Sequence, residues 1–175
     1  MEKISVYLAG PLFGVADRHH NLLLAKELEA LGYLVILPQK EALKFFDGKG
    51  FDVMGICKDC RSQSVNNKVV VANIDGSDAD SGTSLEVGMA HIVATLRKLM
   101  PGVLPGDLTQ PKVICVRTDF RTDMEKEIGY NAMFNLADKV IYKPAYVNSL
   151  EEVAKFYKEL AEEIDRAIKE LMAKS

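Results

Sequence analysis

Val69-Val70-Val71-Ala72-Asn73, followed after a short acidic loop by Asp80-Ser81-Gly82-Thr83-Ser84-Leu85-Glu86-Val87-Gly88, decides the fold. The first stretch is an apolar run with the length of a buried strand, and the second opens an apolar helix. Such a handover is the strand-to-helix step of an open α/β sheet, where ligands bind outside the carboxyl ends of the strands. A local reading makes Asp80 and Thr83 helix N-cap residues and puts Glu86 in a capping box. That accounts for Asp80 or Thr83 with Glu86, but not for Asp75 and Asp78 in the same loop. Carboxylates are costly to bury as mere packing, so the loop is a candidate site.

The rest of the chain repeats the unit. Ile4 to Ala9 reads as a first buried strand. The loop Gly10-Pro11-Leu12-Phe13-Gly14 follows, then a helix from about Asp17 to Leu31 with Leu22, Leu23, Ala25, Leu28 and Leu31 on its apolar side. Gly32 stops that helix, Tyr33 to Leu37 makes a second strand, and Pro38 ends it. A less regular region with Phe45, Phe46 and Phe51 is suited to a lid or pocket wall. A helix from about Asp52 to Asn66 leads into the third strand, Lys68 to Asn73. Leu85 to Met100 reads as a buried core helix, too short and too interrupted by charge to span a bilayer. Beyond the loop from about Leu99 to Gln110, Lys112 to Val116 is the fourth strand. A helix from about Met124 to Ala137, a fifth strand at Lys139 to Tyr142 and a terminal helix opened by Ser149-Leu150-Glu151-Glu152 complete the order. Repeated βα units with short buried strands predict a single-domain α/β fold over residues 1–175. Its centre is a doubly wound, five-stranded parallel sheet of flavodoxin-like type.

Composition limits the partners. A net charge of -3 without a run of Lys or Arg argues against nucleic acid or an anionic membrane and favours a small ligand. Cys57, Cys60 and Cys115 cannot all pair with one another, and Met1-Glu2-Lys3-Ile4 enters a strand pattern with no signal peptide, which predicts a cytoplasmic protein. Cys57-x-x-Cys60 lacks the second ligand pair of a zinc site and the preceding strand of a redox motif, so reduced helix cysteines are expected. His19, His20 and His91 have no spacing for zinc or a triad and read as structural or solvated. Arg18 is a phosphate clamp or, on the plainer reading, a surface residue.

Neither G-x-G-x-x-G nor G-x-x-x-x-G-K-[ST] occurs, so a Gly-rich phosphate cradle is not expected. Acids without matching cations would suit Mg²⁺, yet they spread around a turn rather than forming a recognised metal loop. Paired carboxylates without metal or cradle are what glycosidic-bond chemistry uses, one as nucleophile at the anomeric carbon and one as acid for the leaving group. Placed on the first turn of its helix, Glu86 would be kept ionised by the helix dipole. Asp80, on the loop before it, would reach the leaving group if the turn folds back.

Tyr7-Leu8-Ala9-Gly10-Pro11-Leu12-Phe13, Leu37-Pro38-Gln39 and Asp80 through Gly88 together resemble the nucleoside 2-deoxyribosyltransferase family, over most of the chain. The resemblance implies base exchange between 2'-deoxynucleosides and free purine or pyrimidine bases through a covalent 2-deoxyribosyl-enzyme, with no metal and no cofactor. It implies Glu86 as nucleophile with net retention, Tyr7 as its hydrogen-bonding partner, and Asp80 as the acid that meets the base. Gly10, Phe13, Gln39 and Gly82 would contact substrate or shape its loops. Asp59 lies where a second base-contacting Asp is expected, although its helix is also a common place for a solvated acid. Asn131-Ala132-Met133-Phe134 resembles the segment that reaches a neighbouring subunit's pocket, Asn131 binding the sugar 5'-hydroxyl and Met133 lining the site. This implies a homo-oligomer, usually a hexamer built from dimers. The plainer reading makes Met133 and Phe134 core residues. Lys40-Glu41 departs from the Arg-Asp pair common in relatives, as does the loop from Leu99 to Gln110. Two other functions fit the residues. A deoxynucleoside 5'-monophosphate N-glycosidase would want a first loop richer in Gly, Ser and Arg. A non-catalytic nucleoside sensor would bind without turnover.

Overall fold

The computed structural model describes residues 3–100, 110–121 and 129–174. β1 (Ser5–Ala9), β2 (Leu34–Ile36), β3 (Val69–Asn73), β4 (Lys112–Arg117) and β5 (Lys139–Tyr142) form one sheet in the order β2-β1-β3-β4-β5. All neighbours pair in parallel, with Tyr7 opposite Ile36 on one side and Val70 on the other. This is the expected flavodoxin-like sheet, whose strand order reverses between β1 and β3.

Side chains of successive strand residues point to opposite faces, and the two cores follow from that. Val6, Leu8, Val69, Val71, Ile114 and Val116 pack under α1 (Val15–Ala30) and α5 (Leu150–Ala173). Tyr7, Ala9, Val70, Ala72, Val113 and Cys115 face the other way, where α4 (Ser81–Leu99) contributes Val87 and Ala90. Between β2 and β3 run the short α2 (Pro38–Glu41), a 3₁₀ turn (Ala42–Phe45) and α3 (Val53–Asn66), which packs beside α4.

Several local expectations are corrected. Helix α1 turns Asn21, Leu24, Ala25 and Leu28 inward and leaves Leu22 and Leu31 largely exposed. The Leu-rich stretch carries apolar residues on more than one face, and packing against α5 and the sheet selects among them. Helix α4 is not buried all round: Thr83, Val87, Ala90 and Arg97 face inward, whereas Leu85, Ile92 and Leu99 are exposed. The helix expected from Met124 to Ala137 is a 3₁₀ turn (Ala132–Leu136) over its described part, and its first residues lie outside the described ones. The loop from Leu99 to Gln110 also lies outside them, except at its ends. All three cysteines are free. Among the described residues, no helix is long and apolar enough to cross a membrane.

Candidate active site

The crevice at the strand reversal is where this fold binds ligands, and the first two site residues meet there. Tyr7, central in β1, is fully buried and sends its hydroxyl across to α4, donating to Glu86 Oε1 at 2.7 Å. Burial and the Glu86 charge hold the phenol well above its ordinary value, so it stays protonated as a donor. Glu86 is pushed up to about 7. Burial is the main cause and the nearby Asp80 charge adds to it, while the hydrogen bond from Tyr7 pulls the other way. This corrects the expectation that the helix dipole keeps Glu86 ionised. Glu86 lies in the second turn of α4, and the dipole acts within the first, so desolvation wins.

Asp80 is the N-cap of α4. Its Oδ2 accepts from the Thr83 backbone N–H at 2.9 Å and from the Thr83 hydroxyl at 3.1 Å. The capping half of the local reading therefore holds for Asp80, with Thr83 as its partner, while Glu86 bonds Tyr7 instead of closing a capping box. Gly82 is in the first helical turn rather than in the loop, and a Cβ there would stand 3.1 Å from Asp80 Oδ2. The glycine that turns the loop is Gly76, at φ 108°. Asp75 fixes that loop to β4 by accepting from the backbone and hydroxyl of Thr118 and from the Asp119 N–H. The buried Arg117 donates to the carbonyls of Ile74 and Gly76. Among the described residues, no group of three or more His, Cys, Asp or Glu is placed to hold a metal ion.

The loop after β1 is held from behind by α1. Asn21 Nδ2 donates to the Pro11 carbonyl at 2.9 Å, and Arg18 donates to the Leu12 carbonyl at 3.2 Å. Gly10 permits this approach, since a Cβ there would meet Asn21 Oδ1 at 3.3 Å and Asn73 Cβ at 3.4 Å. Phe13 projects from the loop 84% exposed. Gln39 is buried and turned into α1, accepting from Asn21 Nδ2 and donating to the Arg18 carbonyl. It ties α2 to α1, so its amide is engaged within the protein. Asn21 escaped the sequence reading; its one signal was the helical spacing it shares with Leu24, Ala25 and Leu28.

On α3, Cys60 is a free thiol of intermediate burial that burial pushes above its ordinary value. Asp59, one position earlier, accepts from Gln63 on its own helix. Asn131 caps the 3₁₀ turn, its Oδ1 accepting from the Met133 N–H at 3.0 Å. Phe134 anchors that turn in the same core as Tyr7, and Met133 stands 68% exposed. The plainer reading thus holds for Phe134 and fails for Met133.

A chain from Enterococcus faecalis V583 described as a conserved protein has the same fold, with TM-score 0.59 and 21% identity, covering 90% of this chain and 99% of its own. The 2-deoxyribosyltransferase of Bacillus psychrosaccharolyticus gives TM-score 0.55 at 19% identity, over 86% of this chain and 90% of its own. That of Leishmania mexicana gives 0.55 at 15%, over 89% and 97%. No curated protein matches the chain. Residues 6–136, which carry Tyr7, both acids and Asn131, match the family model for nucleoside 2-deoxyribosyltransferase, and the chain belongs to that family.

Proposed function

We propose that the protein exchanges nucleobases between 2'-deoxynucleosides and free bases through a 2-deoxyribosyl ester of Glu86. The observation that carries this reading is the 2.7 Å bond from Tyr7 to Glu86, which leaves the other carboxylate oxygen for substrate at the fold's ligand crevice. The ionised carboxylate attacks C1' and the C1'–N bond breaks. Its electron pair leaves with the base, and Asp80 supplies the proton. A second base then attacks C1' from the opposite side, expels Glu86 and returns a proton to Asp80, so two inversions give net retention. Water in place of the second base gives slow hydrolysis. Phe13 lies over the sugar's uncharged 5' end, and Gly10 and Gly82 let the loops close on substrate. Asp59 and Gln39 are proposed at the base side, Gln39 by supporting the loop after β1.

The working form is a homo-oligomer in which Asn131 and Met133 complete a neighbour's site. Their exposure and the apolar outer face of α4 at Leu85 and Ile92 support that reading.

Incubating the protein with deoxyadenosine and a free pyrimidine base, beside deoxyadenosine monophosphate alone, tests the reaction by chromatography. A new deoxynucleoside in the first mixture is expected. Base release only in the second would establish the monophosphate N-glycosidase instead, and tight binding with turnover in neither would establish a sensor.

A further inference from the structure

Position 21 belongs to the inward face of α1, where its companions are Leu24, Ala25 and Leu28. An amide among them is costly unless its hydrogen bonds are made, and Asn21 divides the protons of its Nδ2 between two elements. One goes to the Pro11 carbonyl at 2.9 Å, in the loop after β1, and the other to Gln39 Oε1 at 3.2 Å, on α2. Gln39 closes the circuit by donating from Nε2 to the Arg18 carbonyl at 3.1 Å, back on α1. Pro11 has no N–H, so it can be held only through its carbonyl. The neighbouring tie, from Arg18 to the Leu12 carbonyl, comes from an exposed side chain for which water competes. Asn21 is therefore the buried joint between the loop that carries Phe13 and the helix that follows β2. The two lie side by side at the carboxyl edge because β1 and β2 pair in parallel.

We propose that Asn21 is a positioning residue for substrate capture: by holding Pro11 and Gln39 together it keeps the loop after β1 in the conformation that receives a deoxynucleoside. The proposal deepens the exchange reading above and rests on it. The side-chain partners of Asn21 are Pro11 and Gln39, not the Tyr7–Glu86 pair, so the transfer step itself does not depend on it. A loop released from its anchor populates the receptive conformation only part of the time. Apparent affinity then falls by that fraction, while the bound complex reacts as before.

Asn21→Ala is expected to raise KM for deoxyadenosine by roughly 5- to 30-fold, the equivalent of one or two lost hydrogen bonds, with kcat within about twofold of wild type. A lower kcat at unchanged KM is what a smaller folded fraction gives, and that result, like unchanged values of both, overturns the proposal. Gln39→Met leaves Asn21 in place and removes its second acceptor. A KM rise of the same kind is expected, and the double variant should be no worse than Asn21→Ala, because both act through one network. An additive double variant overturns the proposal, and where Asn21→Ala fails to fold, the KM and kcat of Gln39→Met decide alone. Binding is read without turnover by calorimetry with deoxyadenosine on Glu86→Gln, with and without Asn21→Ala, where Kd is expected to rise by the same factor. Should the wild type bind deoxyadenosine but exchange no bases, the function reading fails and this comparison decides the role of Asn21, equal Kd values overturning it. A protein that neither exchanges nor binds overturns both.

Discussion

Glu86 has an ordinary value of 4.5 and is pushed up to about 7 by burial, while the proposed reaction uses its charge. In the proposed mechanism only the ionised form attacks, so kcat/KM for exchange is expected to rise through about pH 7 and level off above it, a profile read from initial rates. Stability runs the other way. Between those two values the folded protein holds a proton that the unfolded chain has released, so stability falls as pH rises through that window. Glu86→Gln, which keeps the Tyr7 bond without the charge, is expected to abolish exchange and covalent trapping by a 2-fluoro sugar analogue. At pH 8 the same variant should be more stable by on the order of 1–3 kcal/mol, and at pH 4 the gain should vanish, as denaturant midpoints will show. Tyr7→Phe removes an orienting donor and is expected to slow exchange by roughly 10- to 100-fold. It should also move the acid limb upward, since the Tyr7 bond lowers Glu86. Full activity in Glu86→Gln would remove Glu86 from the chemistry, and full activity in Tyr7→Phe would remove the orienting role of Tyr7.

Helix α4 begins with one carboxylate assigned two tasks, and substitution separates them. Asp80→Asn keeps an N-cap acceptor and loses the proton donor, so near-native stability with low exchange activity is expected. Asp80→Ala loses both and should cost about 1 kcal/mol more, measured by urea denaturation. Equal activity in Asp80→Asn and wild type would reduce Asp80 to a cap. How far such elements show in the sequence follows from the physics of each. The strands were readable because valine and isoleucine runs of strand length fit only a sheet covered on both faces. Ser149 and Asp80 announced their helices because capping is local chemistry. The inward face of α1 was not readable, since Leu22 and Leu24 differ only in what packs on them. The charge state of Glu86 was not readable from its place near a helix start, because its burial depends on residues such as Tyr7, far away in sequence.

In the single chain, Asn131 and Met133 are solvent-facing on a turn whose buried residue is Phe134. If they serve a neighbour, inactive variants should complement one another. Glu86→Gln oligomers mixed with Asn131→Ala oligomers after dissociation and reassembly are expected to recover about a quarter of wild-type exchange for a dimer with shared sites. No recovery from an oligomer shown by light scattering to have mixed would place Asn131 outside the neighbour's site. The sheet's register has its own consequence, for how the gene tolerates length changes. Tyr7 is paired on both sides, with Ile36 and Val70, and only its parity along β1 puts the hydroxyl on the α4 side. One residue inserted between Ser5 and Val6 would face a choice between breaking two ladders and delivering a phenol into the α1–α5 core. The turn at Gly48, exposed and at φ 91°, faces no such choice. Insertions and deletions should therefore survive in the Asp47–Gly50 turn and be absent from β1, a pattern that a library of single-codon insertions scored for soluble, active protein will reveal.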